Sequence, residues 1–160
     1  MADMLVKLYD IDVNKNVLRD NDIAIKKASV TDKDVLLNFV KENFADSPSW
    51  VHECEYALFN KPVSCYIAVK QKMLIGFSCY DATGKGFFGP IGVKKEYRKN
   101  GVGAALLLKT LQAMKEQDYG YAIIGWVNKE AIPFYKKQVN ATIIKNSTPD
   151  KSIYKNKISL

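Results

Sequence analysis

The sequence predicts a mixed α/β domain in which helices pack on a central sheet. Apolar stretches of strand length recur along the chain, among them Phe87 to Val93 and Tyr121 to Val127. Between those two lies one long amphipathic stretch, Val102 to Tyr119, in which Leu107, Leu111 and Met114 recur at helical spacing. The order of segments is strand, helices, antiparallel group, helix, strand, helix, strands, as expected of layers built on one sheet. A chain of 160 residues has the length of a single domain, 1–160, able to enclose its own core.

Residues 1–22 precede the first firm element, and Leu5, Val6 and Leu8 there suit an extra edge strand, a dimer contact or a cover for the core. Ile23 to Ala28 alternates as a strand. Thr31 and Asp34 stand at capping-box spacing ahead of a helix whose apolar face is Val35, Leu36, Phe39 and Val40. A polar stretch broken by Pro48 leads to a second helix, Trp50 to Phe59, ending before Pro62. Ser64 to Val69 and Met73 to Tyr80 form a strand pair around a turn at Lys70 to Lys72. Gly84-Lys85-Gly86 turns the chain into Phe87 to Val93. The long helix follows and closes at Gly120. Tyr121 to Val127 has the length of a buried strand, and Asn128 caps a helix running through Ala131, Phe134 and Tyr135 to Val139. Ala141 to Ile144 and Ser152 to Ile158 complete the chain as strands.

Composition narrows the function classes. A net charge of +7 favours an anionic partner, either nucleic acid or a polyphosphorylated cofactor. The lysines are scattered, and Lys151, Lys155 and Lys157 alternate with Ile153 and Ile158 like the wet face of a strand, not a nucleic-acid arm. Three cysteines, Cys54, Cys65 and Cys79, form no C-x-x-C pair, and His52 is the only histidine, so no metal site is expected. Free thiols point to a reducing cytoplasm; a Cys54–His52 nucleophile pair has no local support. No apolar run reaches membrane-spanning length, and Met1 to Asp10 lacks the pattern of a signal peptide.

The chemistry concentrates between Phe87 and Leu108, where a strand enters a long helix through a basic turn with two glycines. A helix N-terminus exposes unpaired backbone N–H groups at the positive end of its dipole, which is a site for phosphate. Gly101 and Gly103 let the backbone close on the anion, and Arg98 and Lys99 add charge at the rim. Ala104, Ala105 and Leu106 stand where a P-loop would need lysine and a hydroxyl, and Leu106 stands where a Rossmann turn needs its third glycine.

Arg98-x-x-Gly101-x-Gly103-Ala104, behind an apolar strand ending at Val93, resembles the acyl-CoA pyrophosphate loop of the GNAT superfamily of N-acetyltransferases. A second match, Asn128-x-x-Ala131-x-x-Phe134-Tyr135, follows the next buried strand at the family's spacing. The resemblance is firm from Phe87 to Ala141, so that 87–141 would be the acyl-CoA-binding core. It implies a mostly antiparallel sheet with splayed central strands and acetyl-CoA as cosubstrate, without a metal. The cofactor arm would lie beside Gly89 to Val93, meeting main-chain groups of Ile91 and Val93. Pro90 and Gly92, awkward in a regular strand, and Gly125 in the next strand fit such an opening.

The resemblance also assigns roles. Arg98, Lys99, Asn100, Gly101, Val102, Gly103 and Ala104 would hold the pyrophosphate. Asn128 would serve as helix cap, as contact to the cofactor arm, or as both. Tyr135 would be the general acid toward the leaving thiolate and the Val93 N–H the partner of the carbonyl oxygen. Trp50, His52, Glu53, Tyr56 and Asp81 are candidates on the acceptor side, with Glu55 and Glu96 as further carboxylates; helix packing and surface roles suit the same helix residues. The acceptor would be a small-molecule or peptide amine, with no nucleic acid or membrane partner, for a monomer or homodimer. Alternatives are a non-catalytic acyl-CoA sensor and a basic nucleic-acid-binding module.

Overall fold

The computed structural model describes residues 1–156. Seven strands and four helices alternate in it: β1 (Ala2–Lys7), β2 (Ile23–Lys27), α1 (Lys33–Asn43), α2 (Ser49–Phe59), β3 (Cys65–Lys70), β4 (Met73–Tyr80), β5 (Phe87–Val93), α3 (Val102–Glu116), β6 (Tyr121–Val127), α4 (Ile132–Val139) and β7 (Thr142–Ile143). The strands form one sheet in the order β2-β3-β4-β5-β6-β1-β7. Every neighbouring pair is antiparallel except β5 with β6. The expected mixed, mostly antiparallel sheet flanked by helices is therefore observed.

Two cores flank this sheet. On one face α3 and α4 pack Leu106, Leu107, Leu111, Met114 and Tyr135 against the strands. On the other, α1 and α2 enclose Leu36, Val40, Leu58, Phe77 and Cys79. Ser78 on β4 links β4 to α3, with its hydroxyl 2.5 Å from that of Thr110 and donating to the Leu106 carbonyl at 3.3 Å. That buried pair helps fix the helix that begins at the glycine loop.

The N-terminal strand is not an edge addition. β1 lies between β6 and β7, and Met4, Val6 and Leu8 are fully buried. Burying side chains of this size contributes about 1.5–3 kcal/mol each, so β1 is part of the core. From its end, residues 11–22 run as a strap along the outer side of α3. Val17 and Leu18 of the strap pack on the first core, and Lys70 Nζ pairs with Asp20 at 2.5 Å near its end.

Several expected boundaries shift. The capping box is Ser29 with Asp32 instead of Thr31 with Asp34: Thr31 N–H donates to Ser29 Oγ at 3.1 Å and Ser29 N–H to Asp32 Oδ2 at 2.8 Å. A 3-10 turn at Val30–Asp32 then rotates the helix face, leaving Val35 64% exposed and turning Leu37 inward. At the other end of the long helix the left-handed residue is Asp118 (φ 66°), so α3 stops at Glu116; Gly120 instead accepts the Leu8 N–H at 3.0 Å. Gln71 and Lys72 both take positive φ, which a two-residue hairpin turn requires.

The last strand does not form within the described residues. Ile153–Asn156 is a 3-10 turn, and its Tyr154 packs on β6 with ring centroids 5.6 Å from Trp126. Position in the sheet beside β6 is already taken by β1. Lys157 and Ile158, the rest of the expected strand, lie outside the described residues.

Candidate active site

β5 and β6 separate where the sequence places proline and glycine. They pair only at Phe87↔Ile123 and Phe88↔Ile124. Beyond Phe88, Gly89 takes φ 118°, and the register with β4 slips between Ser78 and Tyr80. A residue with a Cβ adopts that conformation only with strain. Past this bulge β5 stays on β4 alone, through Ser78↔Ile91, Phe77↔Gly92 and Gly76↔Val93. Its other edge is open.

The open edge presents defined main-chain groups. The Lys94 N–H donates to the Ile75 carbonyl at 2.8 Å. Successive residues of an antiparallel strand point their N–H and C=O to opposite sides, so Gly92 and Lys94 face β4 while Ile91 and Val93 face the gap. Arg98 agrees with this, since its Nε donates to the Val93 carbonyl at 3.1 Å. The Val93 N–H thus faces the opening between the strands.

The glycine loop continues from this edge. Lys99 and Gly101 have φ of 71° and 82°, which turns the chain into α3 with Gly101 at its cap. The Ala105 N–H closes the first helical turn on the Gly101 carbonyl at 2.9 Å. Val102, Gly103 and Ala104 carry N–H groups for which a helix start offers no internal partner. A Cβ on Gly103 would make ordinary van der Waals contact with Phe134 Cζ and Val93 Cγ2, both at 3.8 Å, so a methyl fits there and only a longer side chain would crowd the loop. On the other side it is closed: the Val17 carbonyl occupies the place of a Cβ on Gly101, and the Arg19 N–H donates to the Asn100 carbonyl at 3.4 Å.

Tyr135 comes to the same region from α4. Its ring stands edge-on to Phe88 at 6.3 Å and to Phe134 at 5.1 Å, and the residue is 7% exposed. Phe134 and Tyr135, although consecutive on a helix, thus both turn toward the sheet side. Burial alone raises the Tyr135 pKa above its ordinary value, so the phenol keeps its proton at neutral pH. Asn128 Oδ1 accepts the Ala131 N–H at 2.9 Å, the cap expected for it.

The acceptor-side candidates divide between two faces of α2. Trp50 turns inward, 5.3 Å from Phe44 and 6.0 Å from Phe77 between ring centroids. Glu53 is half-buried, and its charge helps raise the Tyr154 pKa. His52 points outward and lines, with Glu55, Tyr56, Phe59 and Asn60, a surface hollow of about 580 Å³. Cys54 is fully buried against Cys79, so it forms no pair with exposed His52. Asp81 is held in its own loop: the Tyr119 hydroxyl donates to both carboxylate oxygens at 2.8 and 2.7 Å, and the Gly86 N–H to Oδ1 at 2.7 Å. Sequence reasoning missed Phe44 and Tyr154, which reach Gly92 and Gly125 from distant segments. The glycines themselves were the only signal.

The model of the acetyltransferase (GNAT) family matches residues 32–140, a span that contains the open strand edge and the glycine-rich helix start. The chain belongs to that family. Among curated proteins none matches the chain. GNAT structures share its fold at low identity. The glucosamine N-acetyltransferase region of a fungal multi-domain GH3 β-N-acetylglucosaminidase superposes with a TM-score of 0.72 at 15% identity, covering 89% of this chain and 19% of that one. A GCN5-related N-acetyltransferase from Sphaerobacter thermophilus gives 0.69 at 16% identity, covering 89% and 48%. The PaiA N-acetyltransferase of Thermoplasma acidophilum, solved in complex with coenzyme A, gives 0.51 at 22% identity, covering 72% and 87%. The chain thus spans less than half of the first two. Among the described residues no helix is long and apolar enough to cross a membrane, and no cluster of His, Cys, Asp and Glu suits a metal ion.

Proposed function

We propose that the 160-residue chain acts as one N-acetyltransferase domain, 87–141 forming its acyl-CoA core, and transfers acetyl from acetyl-CoA to a primary amine. The observation that carries this is the unpaired edge at Ile91–Val93 running directly into the N–H groups of Val102 to Ala104. The residues present fit the cosubstrate: an extended amide arm can bond the open edge, and a pyrophosphate the helix start, with Arg98, Lys99 and Asn100 at the rim. A long side chain at Gly103 would crowd that loop beside Phe134 and Val93.

Bound acetyl-CoA supplies the acetyl group as a thioester. The Val93 N–H donates to the carbonyl oxygen as negative charge develops there. The neutral amine nitrogen would bond the carbonyl carbon as the C–S bond breaks, Tyr135 would give its proton to the sulfur, and the amine's surplus proton, passed through solvent, would restore the Tyr135 phenol. Tyr135 carries a proton to donate, as a phenol does at neutral pH. We assign the acceptor side to Trp50, which turns inward, and to half-buried Glu53, and not to His52 or the loop-bound Asp81. Three free buried cysteines support a reducing, cytoplasmic setting.

Free-thiol release with a panel of amines tests this. Tyr135→Phe is expected to lower kcat about 10²-fold or more, with acetyl-CoA affinity unchanged. Unchanged turnover in the variant would remove Tyr135 as the acid.

A further inference from the structure

Gly92 on β5 and Gly125 on β6, the two strands bordering the opening, are each covered by an aromatic ring on the α1–α2 side of the sheet. A Cβ on Gly92 of β5 would lie 2.5 Å from Phe44 Cζ and 2.8 Å from Phe77 Cε1. A Cβ on Gly125 of β6 would collide with the Tyr154 hydroxyl. Gly125 follows Ile124, the last residue of β6 that pairs with β5, so Tyr154 sits where the strands part. Each cover is backed by a tryptophan: Trp50 at 5.3 Å from Phe44, and Trp126 at 5.6 Å from Tyr154. Asp3 Oδ1 accepts the N–H of Trp126, the neighbour of Tyr154, at 2.8 Å, and burial first, then the charges of Asp3 and Glu53, raise the Tyr154 pKa.

The opposite side of the opening holds Tyr135 and the glycine loop. The α1–α2 side is therefore the approach left for an acceptor. What passes there meets aromatic walls with a carboxylate near one of them. An ammonium is drawn to aromatic faces and to carboxylate, while a carbon skeleton gains by burial between rings. Further charges along the skeleton would lose water without gaining partners.

Building on the acetyltransferase reading above, we infer that the acceptor is a primary amine on an apolar or aromatic skeleton, and that Tyr154, seated on Gly125, is a specificity-determining residue for it. The family model ends at residue 140, before Tyr154.

The test compares 2-phenylethylamine, spermidine and glutamate as acceptors by thiol release, with acetyl-CoA affinity measured calorimetrically on every variant. Wild type is expected to favour 2-phenylethylamine in kcat/KM by about tenfold or more over the other two. Tyr154→Leu should cut that kcat/KM about tenfold at unchanged acetyl-CoA affinity, while Tyr154→Phe, which keeps the ring, retains it. Val35→Ala, on the exposed face of α1, should change nothing. Should Tyr154→Leu not fold, Phe44→Leu on the other wall is expected to give the same loss. Preference for spermidine or glutamate, acetylation of none of the three, or an unaltered preference in the leucine variants would overturn the inference. Failure of the wild type to bind acetyl-CoA would instead overturn the acetyltransferase reading beneath it.

Discussion

The carbonyl of Val17 lies against the bare Cα of Gly101, so the N-terminal strap and the glycine loop share one tight contact. Gly101 also has φ 82°. Gly101→Ala is expected to destabilise the protein by more than the roughly 1–2 kcal/mol of a left-handed residue alone, because the strap must also move. Denaturant unfolding checks this, and a midpoint equal to wild type would contradict the contact.

Arg98 is tied to the open strand by its Nε, which donates to the Val93 carbonyl at 3.1 Å just before the loop begins. Its replacement by alanine should weaken acetyl-CoA binding by about 1.5–3 kcal/mol, the scale of a hydrogen bond to a charged group. Arg98→Lys should recover part of this, since it restores charge without the planar fork. Calorimetric titration measures both.

Asp81 holds the β4–β5 loop through Tyr119 and Gly86, so its role is structural in our account. Asp81→Asn should lower stability by about 1–3 kcal/mol, as expected when bonds to a charged group are weakened, and leave acetyl-CoA affinity as it was. Loss of acceptor turnover in a variant of wild-type stability would instead return Asp81 to the substrate side.

Tyr135 and Tyr80 make stability fall at high pH. Burial raises both above the ordinary value of 10.0, Tyr80 to about 12. A phenol whose folded pKa is raised holds its proton more tightly in the folded chain. Its contribution is complete below the unfolded pKa and is lost as pH rises through the folded one. Denaturation midpoints should therefore be level below pH 10.0 and drop above it, less steeply in Tyr135→Phe. An equal slope in that variant would contradict the burial of its hydroxyl.

The parts of the chain read correctly from sequence are those set by local pattern. β5, the glycine loop and α3 are contiguous, and the bulge at Gly89–Pro90 announces itself through residues that a regular strand rejects. Asn128 caps a turn only three residues away, within reach of a sequence rule. What escaped depends on distant partners. The insertion of β1 between β6 and β7 pairs Val6 with Ala122, a choice no local periodicity records. Val35 and Leu37 exchanged places because a single 3-10 turn shifts the phase of α1. Phe44 and Tyr154 cover glycines whose meaning appears only when rings from other segments are set on them.

The central claim is that the open β5 edge and the Gly101–Ala104 helix start form a site for acetyl-CoA. Calorimetric titration of acetyl-CoA into the wild type and into Gly103→Glu, with NAD as a control ligand, tests it most directly. Our account predicts saturable binding to the wild type, none to the variant, whose long side chain crowds the loop beside Phe134 and Val93, and none of NAD. A folded wild type that does not bind acetyl-CoA, or a Gly103→Glu protein that binds it equally well, would contradict it.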